Sequence, residues 1–169
     1  MLTFDLALLI ILGLFALLGL ISGFIQALGT LLGVLLGAFV AGHYYQLAAG
    51  WGSFLWGDGN WGRLISFFLI LIIVSRLVGL LFYLVNRIFE IISIIPFLKT
   101  INRLVGLVFG LLEGLCVVSL TVYFLSQYPV SAWLTAQMAT SAVAPWLLLG
   151  VKILLPLLPG ALKQAEQLL

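Results

Sequence analysis

Between Asp5 and Asp58 the chain has 52 consecutive positions without a formal charge. As one helix that run would measure about 78 Å, against about 30 Å for the hydrocarbon core of a bilayer. It must therefore fold back at least once. The clustered turn formers Gly19, Ser22 and Gly23 in "GLISGF" mark the place. They predict one span near 4–21, a tight turn, and a second span near 24–45. Hydrophobic residues make up 64% of the 169-residue chain and charged ones 7%. A soluble domain carries about 25% charged residues, so a chain this apolar needs an apolar solvent. The leader "MLTFD" holds no Lys or Arg and places an acid at Asp5. It reads as a retained span rather than a secretory signal.

Downstream, "QLAAGWGSFLWGDGNWG" (46–62) is rich in glycine and contains Trp51, Trp56 and Trp61 just after Tyr44 and Tyr45. Aromatic residues with a polar edge collect at the membrane–water interface. The stretch reads as an interfacial loop, with an aromatic belt favoured over a ligand site. Arg63 and Arg87 bracket a third span at 64–86, interrupted by Arg76. The linker "NRIFEIISIIPFLKTIN", with Glu90, Pro96 and Lys99, is expected to lie partly on the surface as an amphipathic helix. A fourth span follows at 104–126, interrupted by Glu113. The expectation for 1–128 is an all-α membrane domain of four transmembrane helices in two hairpins. After Pro129 the chain is mixed, and "PWLLLGVKILLPLLP" carries Lys152 and three prolines. Residues 129–169 are read as an interfacial or re-entrant segment, N-capped by Ser141, with a fifth span as the alternative.

Glycine recurs every fourth residue at Gly29, Gly33 and Gly37, followed by Ala41, and again at Gly106, Gly110 and Gly114. Each interior glycine costs a helix about 1 kcal/mol relative to alanine. In lipid, helices associate by close backbone approach, and residues four apart share a face. Both stripes therefore read as packing grooves, facing each other, another helix or another copy of the chain.

Catalytic machinery is not legible. His43 is the single histidine, and no Ser–His–Asp set, metal-ligand spacing or phosphate loop is present. Cys116 is the lone cysteine; it reads as a packing residue and excludes an internal disulfide. A net charge of +2 with no Lys/Arg cluster on a polar face points away from nucleic acid. No catalytic, cofactor or metal residue is assigned, and no cofactor is expected. The polar exceptions are Arg76 and Glu113. From Arg87 and Arg103, Arg76 lies about 16 Å and Glu113 about 15 Å into the membrane. Charges at this depth are costly and usually partnered. They are expected to meet, as a register-fixing ion pair or as a polar pathway. Arg87, Lys99 and Arg103 flank the linker between spans 3 and 4, whereas Arg63 stands alone in the loop between spans 2 and 3. The positive-inside rule places that linker in the cytoplasm and both termini outside.

Four stretches resemble the colicin V production protein (CvpA) family of small bacterial inner-membrane proteins. They are Asp5 before span 1, "GLISGF" with Gly23, "FVAGHYYQ" with His43, Tyr44 and Tyr45, and "NRLVGLVFGLLEG" with Asn102 and Arg103. The spacing of Ser141 and Pro145 is similar to the family's C-terminal signature. The chain departs from the family at Leu20, Ile21 and Ser22, where basic residues are usual, and at Glu113, where a basic residue is frequent. The resemblance implies a four-span inner-membrane protein, non-enzymatic, supporting colicin V or peptide-toxin production or export and envelope homeostasis. Its implied partners are the lipid bilayer, further copies of the chain, and export or envelope proteins. An oligomeric channel or small transporter, with Arg76 and Glu113 lining a polar path, is the alternative. An intramembrane enzyme is the least supported reading.

Overall fold

The structure, a computed structural model, describes residues 2–56, 60–92, 96–128 and 131–154. Every element among them is helical: α1 Leu2–Ser22, α2 Phe24–Trp56, α3 Asn60–Ile92, α4 Pro96–Gln127, α5 Ala132–Ala139 and α6 Ala144–Leu154. Asp58, Pro129 and the tail with Pro156 and Pro159 lie outside the described residues, as do the side chains of Glu90, Lys99 and Lys152. Four helices are long and apolar enough to cross a membrane, at Thr3–Ser22, Phe24–Gly52, Asn60–Val85 and Thr100–Gln127. α5 and the first part of α6 form a pair bent by 92°, the shape of a broken span or a re-entrant loop.

Two expectations about the connections change. Residues 46–56 extend α2, and 60–62 begin α3, so the stretch expected as an interfacial loop is helical on both sides of 57–59. A helix satisfies its own backbone polar groups, and that gain outweighs the roughly 1 kcal/mol cost of Gly50 or Gly52. The linker after Arg87 is likewise not a separate surface helix. It continues α3 to Ile92 and opens α4 at Pro96. Proline suits the first turn of a helix, where its missing N–H has no partner to lose.

The helices are not packed as two successive hairpins. The extensive contacts join α2 to α3 and α1 to α4, while α2 also lies against α4. α1 and α2 touch little despite being joined at one residue. Gly23, at φ 83°, turns the chain between them in a left-handed conformation open to glycine. The lateral order is therefore α3, α2, α4, α1, with α2 and α4 inside.

Both glycine stripes lie on these seams. A Cβ added at Gly110 would meet the Phe15 carbonyl oxygen and stand 2.8 Å from the Gly19 Cα. One added at Gly106 would meet the Gly19 carbonyl oxygen and the backbone of Gly23. Glycine on α4 thus meets glycine on α1, backbone to backbone. On α2, a Cβ at Gly33 would lie 2.8 Å from the Ser75 carbonyl oxygen, and one at Gly37 would lie 2.9 Å from that of Leu71. The two grooves take different helices and do not face each other.

Two apolar clusters complete the core. Val34, Ala38, Ala41 and Tyr45 of α2 pack with Phe67 and Leu71 of α3, Leu120, Tyr123 and Phe124 of α4, and Val151 of α6. Leu8 and Leu12 of α1 pack with Val118 and Val122 of α4 and with Ala144 and Leu147 of α6. α6 therefore closes one end of the bundle. Outward faces are apolar as well: Leu6, Leu9, Ile10, Leu14 and Leu17 of α1 and Ile72, Ile73, Leu77, Leu80 and Leu81 of α3 are all exposed. In water such surfaces would drive aggregation. In a bilayer they are the solvated faces.

Candidate functional site

Polar contacts join distant parts of the chain at several places. The first is at the end of the bundle that α6 closes. The Ser141 hydroxyl donates to one carboxylate oxygen of Asp5, and the Ala142 N–H donates to the other at 3.1 Å. The same Ser141 oxygen accepts the N–H groups of Val143 at 3.2 Å and Ala144 at 2.9 Å. Ser141 thus caps the start of α6, and the Asp5 charge sits where a helix N-terminus favours an anion. Pro145 is exposed in the first turn of α6, where it forfeits little. Asp5 and Ser141 are 136 residues apart. They meet because α1 and α6 both lie on α4.

The second contact is at the opposite end. Asn102 of α4 accepts the Phe24 N–H at 3.1 Å through its side-chain oxygen. Phe24 is the first residue of α2, so Asn102 caps that helix from across the bundle. The Phe24 and Phe109 rings add an edge-to-face contact at 5.0 Å. The neighbouring Arg103 is exposed. Replacing Asn102 by alanine leaves the Phe24 N–H without its partner and is expected to cost about 1–2 kcal/mol. The loss should read as a lower unfolding midpoint in detergent, with substitution of the exposed Leu104 as the unaffected control.

The third lies inside the bundle. Thr30 of α2 donates its hydroxyl to Glu113 of α4 at 2.6 Å. The Arg76–Glu113 ion pair expected from equal depth is not formed. Arg76 is exposed on α3, and its charge reaches the half-buried Glu113 only across a gap. The reason is lateral: α2 stands between α3 and α4 and offers Thr30 instead. Thr30 has a signal in the sequence, a hydroxyl set between Gly29 and Gly33 of the stripe.

Of the motif "FVAGHYYQ", only Tyr45 is buried among the aromatic residues. Its hydroxyl lies 3.0 Å from that of Tyr128 and accepts from the Gln46 amide at 3.0 Å. Its ring stands edge-on to Phe124 at 5.7 Å. The Arg63 guanidinium lies over the Tyr128 ring at 5.5 Å, a cation–π contact. Burial, and then the Tyr45 hydroxyl, hold the Tyr128 phenol above its ordinary pKa, so it stays neutral. His43 is exposed, with Nδ1 2.9 Å from the Phe39 carbonyl oxygen, and Tyr44 points outward. Gln46 and Tyr128 carry no signal of this contact in the sequence, where Arg63 reads only as a span boundary. Among the described residues, no group of three His, Cys, Asp or Glu side chains converges as a metal site would require.

A helical bundle with lipid-facing apolar surfaces, glycine-packed seams and polar contacts at both ends defines a polytopic membrane protein. The family model described as "Colicin V production protein" matches residues 4–152, nearly the whole length, and the chain belongs to that family. No curated protein and no solved structure matches the chain. Membership suggests a part in colicin V production. Of the residues that carry the resemblance, the fold brings Asp5 to Ser141 and Asn102 to the Gly23–Phe24 junction.

Proposed function

We propose that this chain is a non-enzymatic inner-membrane protein supporting the production or export of colicin V-type peptide toxins and, with it, envelope homeostasis. It acts through partner proteins or as an assembly of its own copies. The observation that carries this reading is the family match over 4–152. The Asp5–Ser141 contact supports it, because it ties the two ends of that matched region into one scaffold. In a toxin-producing strain lacking this chain, toxin in the medium is expected to fall, and the intact chain should restore it. Unchanged secretion in the deletion strain would overturn the reading.

The half-buried Glu113 with Thr30, and Arg76 nearby, favour one second reading, an oligomeric channel or small transporter. Purified chain in vesicles separates the two, since specific flux without partners belongs to the channel alone.

The proposed orientation puts the 87–103 region in the cytoplasm and both termini outside, from the Arg87, Lys99 and Arg103 cluster. In a Cys116→Ala background, single cysteines in 88–100 should be shielded from an impermeant thiol reagent in intact cells. Cysteines in 52–60 should label. The reverse pattern would invert the topology.

A further inference from the structure

α3 and α4 pack little against each other, because α2 lies between them. Thr30 of α2 reaches both. Its hydroxyl donates to Glu113 on α4, and its methyl group lies 3.4 Å from where a Cβ on Gly79 of α3 would stand. Thr30 is thus the floor of a lateral seam, with Glu113 on one rim. Arg76, one turn before Gly79 and on the same side of α3, is on the other. Arg76 is exposed, and among the described residues no carboxylate touches it, although it stands in the middle of a spanning helix. Charges at that depth normally face a partner rather than lipid.

Depth supplies the complement. Measured from the ends of α3 and α4 that lie on one side of the bundle, Arg76 is about 24 Å and Glu113 about 21 Å along its helix. A two-fold axis along the membrane normal preserves depth and exchanges the rims of two facing seams. The cation of each copy then faces the carboxylate of the other, an isologous arrangement. We propose that the α3–α4 seam is the interface of a homodimer in the membrane, in which Arg76 of each copy pairs with Glu113 of the other. The proposal rests on the membrane fold alone and stands whether or not the toxin reading does.

The test uses two differently tagged full-length chains, co-expressed and captured through one tag from native membranes. The unmodified pair should be captured together. Arg76→Glu puts two carboxylates on every seam and Glu113→Arg two cations. Each variant alone should lose self-capture by at least about tenfold. Co-expressed, Arg76→Glu and Glu113→Arg chains face each other with opposite charges at both positions, so capture should return. The neutral variants Arg76→Gln and Glu113→Gln, milder for folding, should repeat the pattern with one restored pair. A charge pair confined within one chain gives no rescue between chains. Capture indifferent to the charges, failure of the mixed pairs to recover, or no capture of the unmodified chain would each overturn the proposal.

Discussion

Gly110→Leu should remove most of the folded protein, while Leu111→Ala one residue away should leave it nearly unchanged. Gly110 faces the Phe15 carbonyl oxygen and the Gly19 Cα, so even one added carbon lies within 3 Å of backbone. A flexible side chain can turn aside, but a helix backbone cannot. The bulk must therefore push α1 and α4 apart along their whole seam. Overpacking in a close-packed site costs about 1–3 kcal/mol and sometimes more. Here both helices move, so the upper end applies. Leu111 is 37% exposed and its loss empties no core site. The glycines form a graded series. Gly33→Leu should also be severe, with the exposed Leu32→Ala as its mild counterpart. Gly13→Ala should be harmless or slightly stabilising, because nothing lies within 4 Å and alanine favours helix. The measurement is the yield of monodisperse protein in mild detergent and its unfolding midpoint. Equal behaviour of Gly110→Leu and Leu111→Ala would show that the seam is not close-packed.

The second large effect is expected at Asp5→Ala. The substitution removes both acceptors that hold Ser141 and the Ala142 N–H, and with them the anion at the start of α6. Hydrogen bonds to a charged group are stronger than those between neutral groups. α6 is a short element, so their loss should loosen it locally without unfolding the bundle. Leu147 is buried against α1 and α4 and reports the event. A Leu147→Cys chain in the Cys116→Ala background should resist a thiol reagent with Asp5 present and label readily with Asp5→Ala. Asp5→Asn, which keeps one acceptor oxygen, should fall between. Equal labelling in all three would mean that Asp5 does not hold α6.

The spans were legible because a helix in lipid must be long, apolar and nearly uncharged, and those demands are written in single residues. The stripes were legible for a similar reason, since spacing by four implies one face. Their occupants were not. A row of glycines says that a backbone approaches and nothing about which one. Chain order favoured hairpins of neighbours, but a single residue at Gly23 lets α1 and α2 diverge, and α1 lies on α4 instead. Depth arithmetic placed Arg76 and Glu113 at one level, yet depth carries no lateral order, and α2 supplied Thr30 between them. The loop expected at 46–62 failed through weighting, because glycine penalties are small beside unsatisfied backbone in an apolar medium. The Asp5–Ser141 contact had no local signal at all. It depends on α1 and α6 sharing α4, a property of the assembled bundle.

α1 lies in the groove of α4 and thereby carries Asp5 to Ser141. Phe15 and Gly114 test it most directly, since a Cβ at 114 would fall 2.7 Å from that of Phe15. A Phe15→Cys, Gly114→Cys chain in the Cys116→Ala background removes the Phe15 ring and brings two thiols close to disulfide geometry. With a protease site placed in 57–59, oxidation in native membranes followed by cleavage should leave the two fragments joined until a reductant is added. Fragments that separate without reductant would contradict the fold and the Asp5 contact that depends on it.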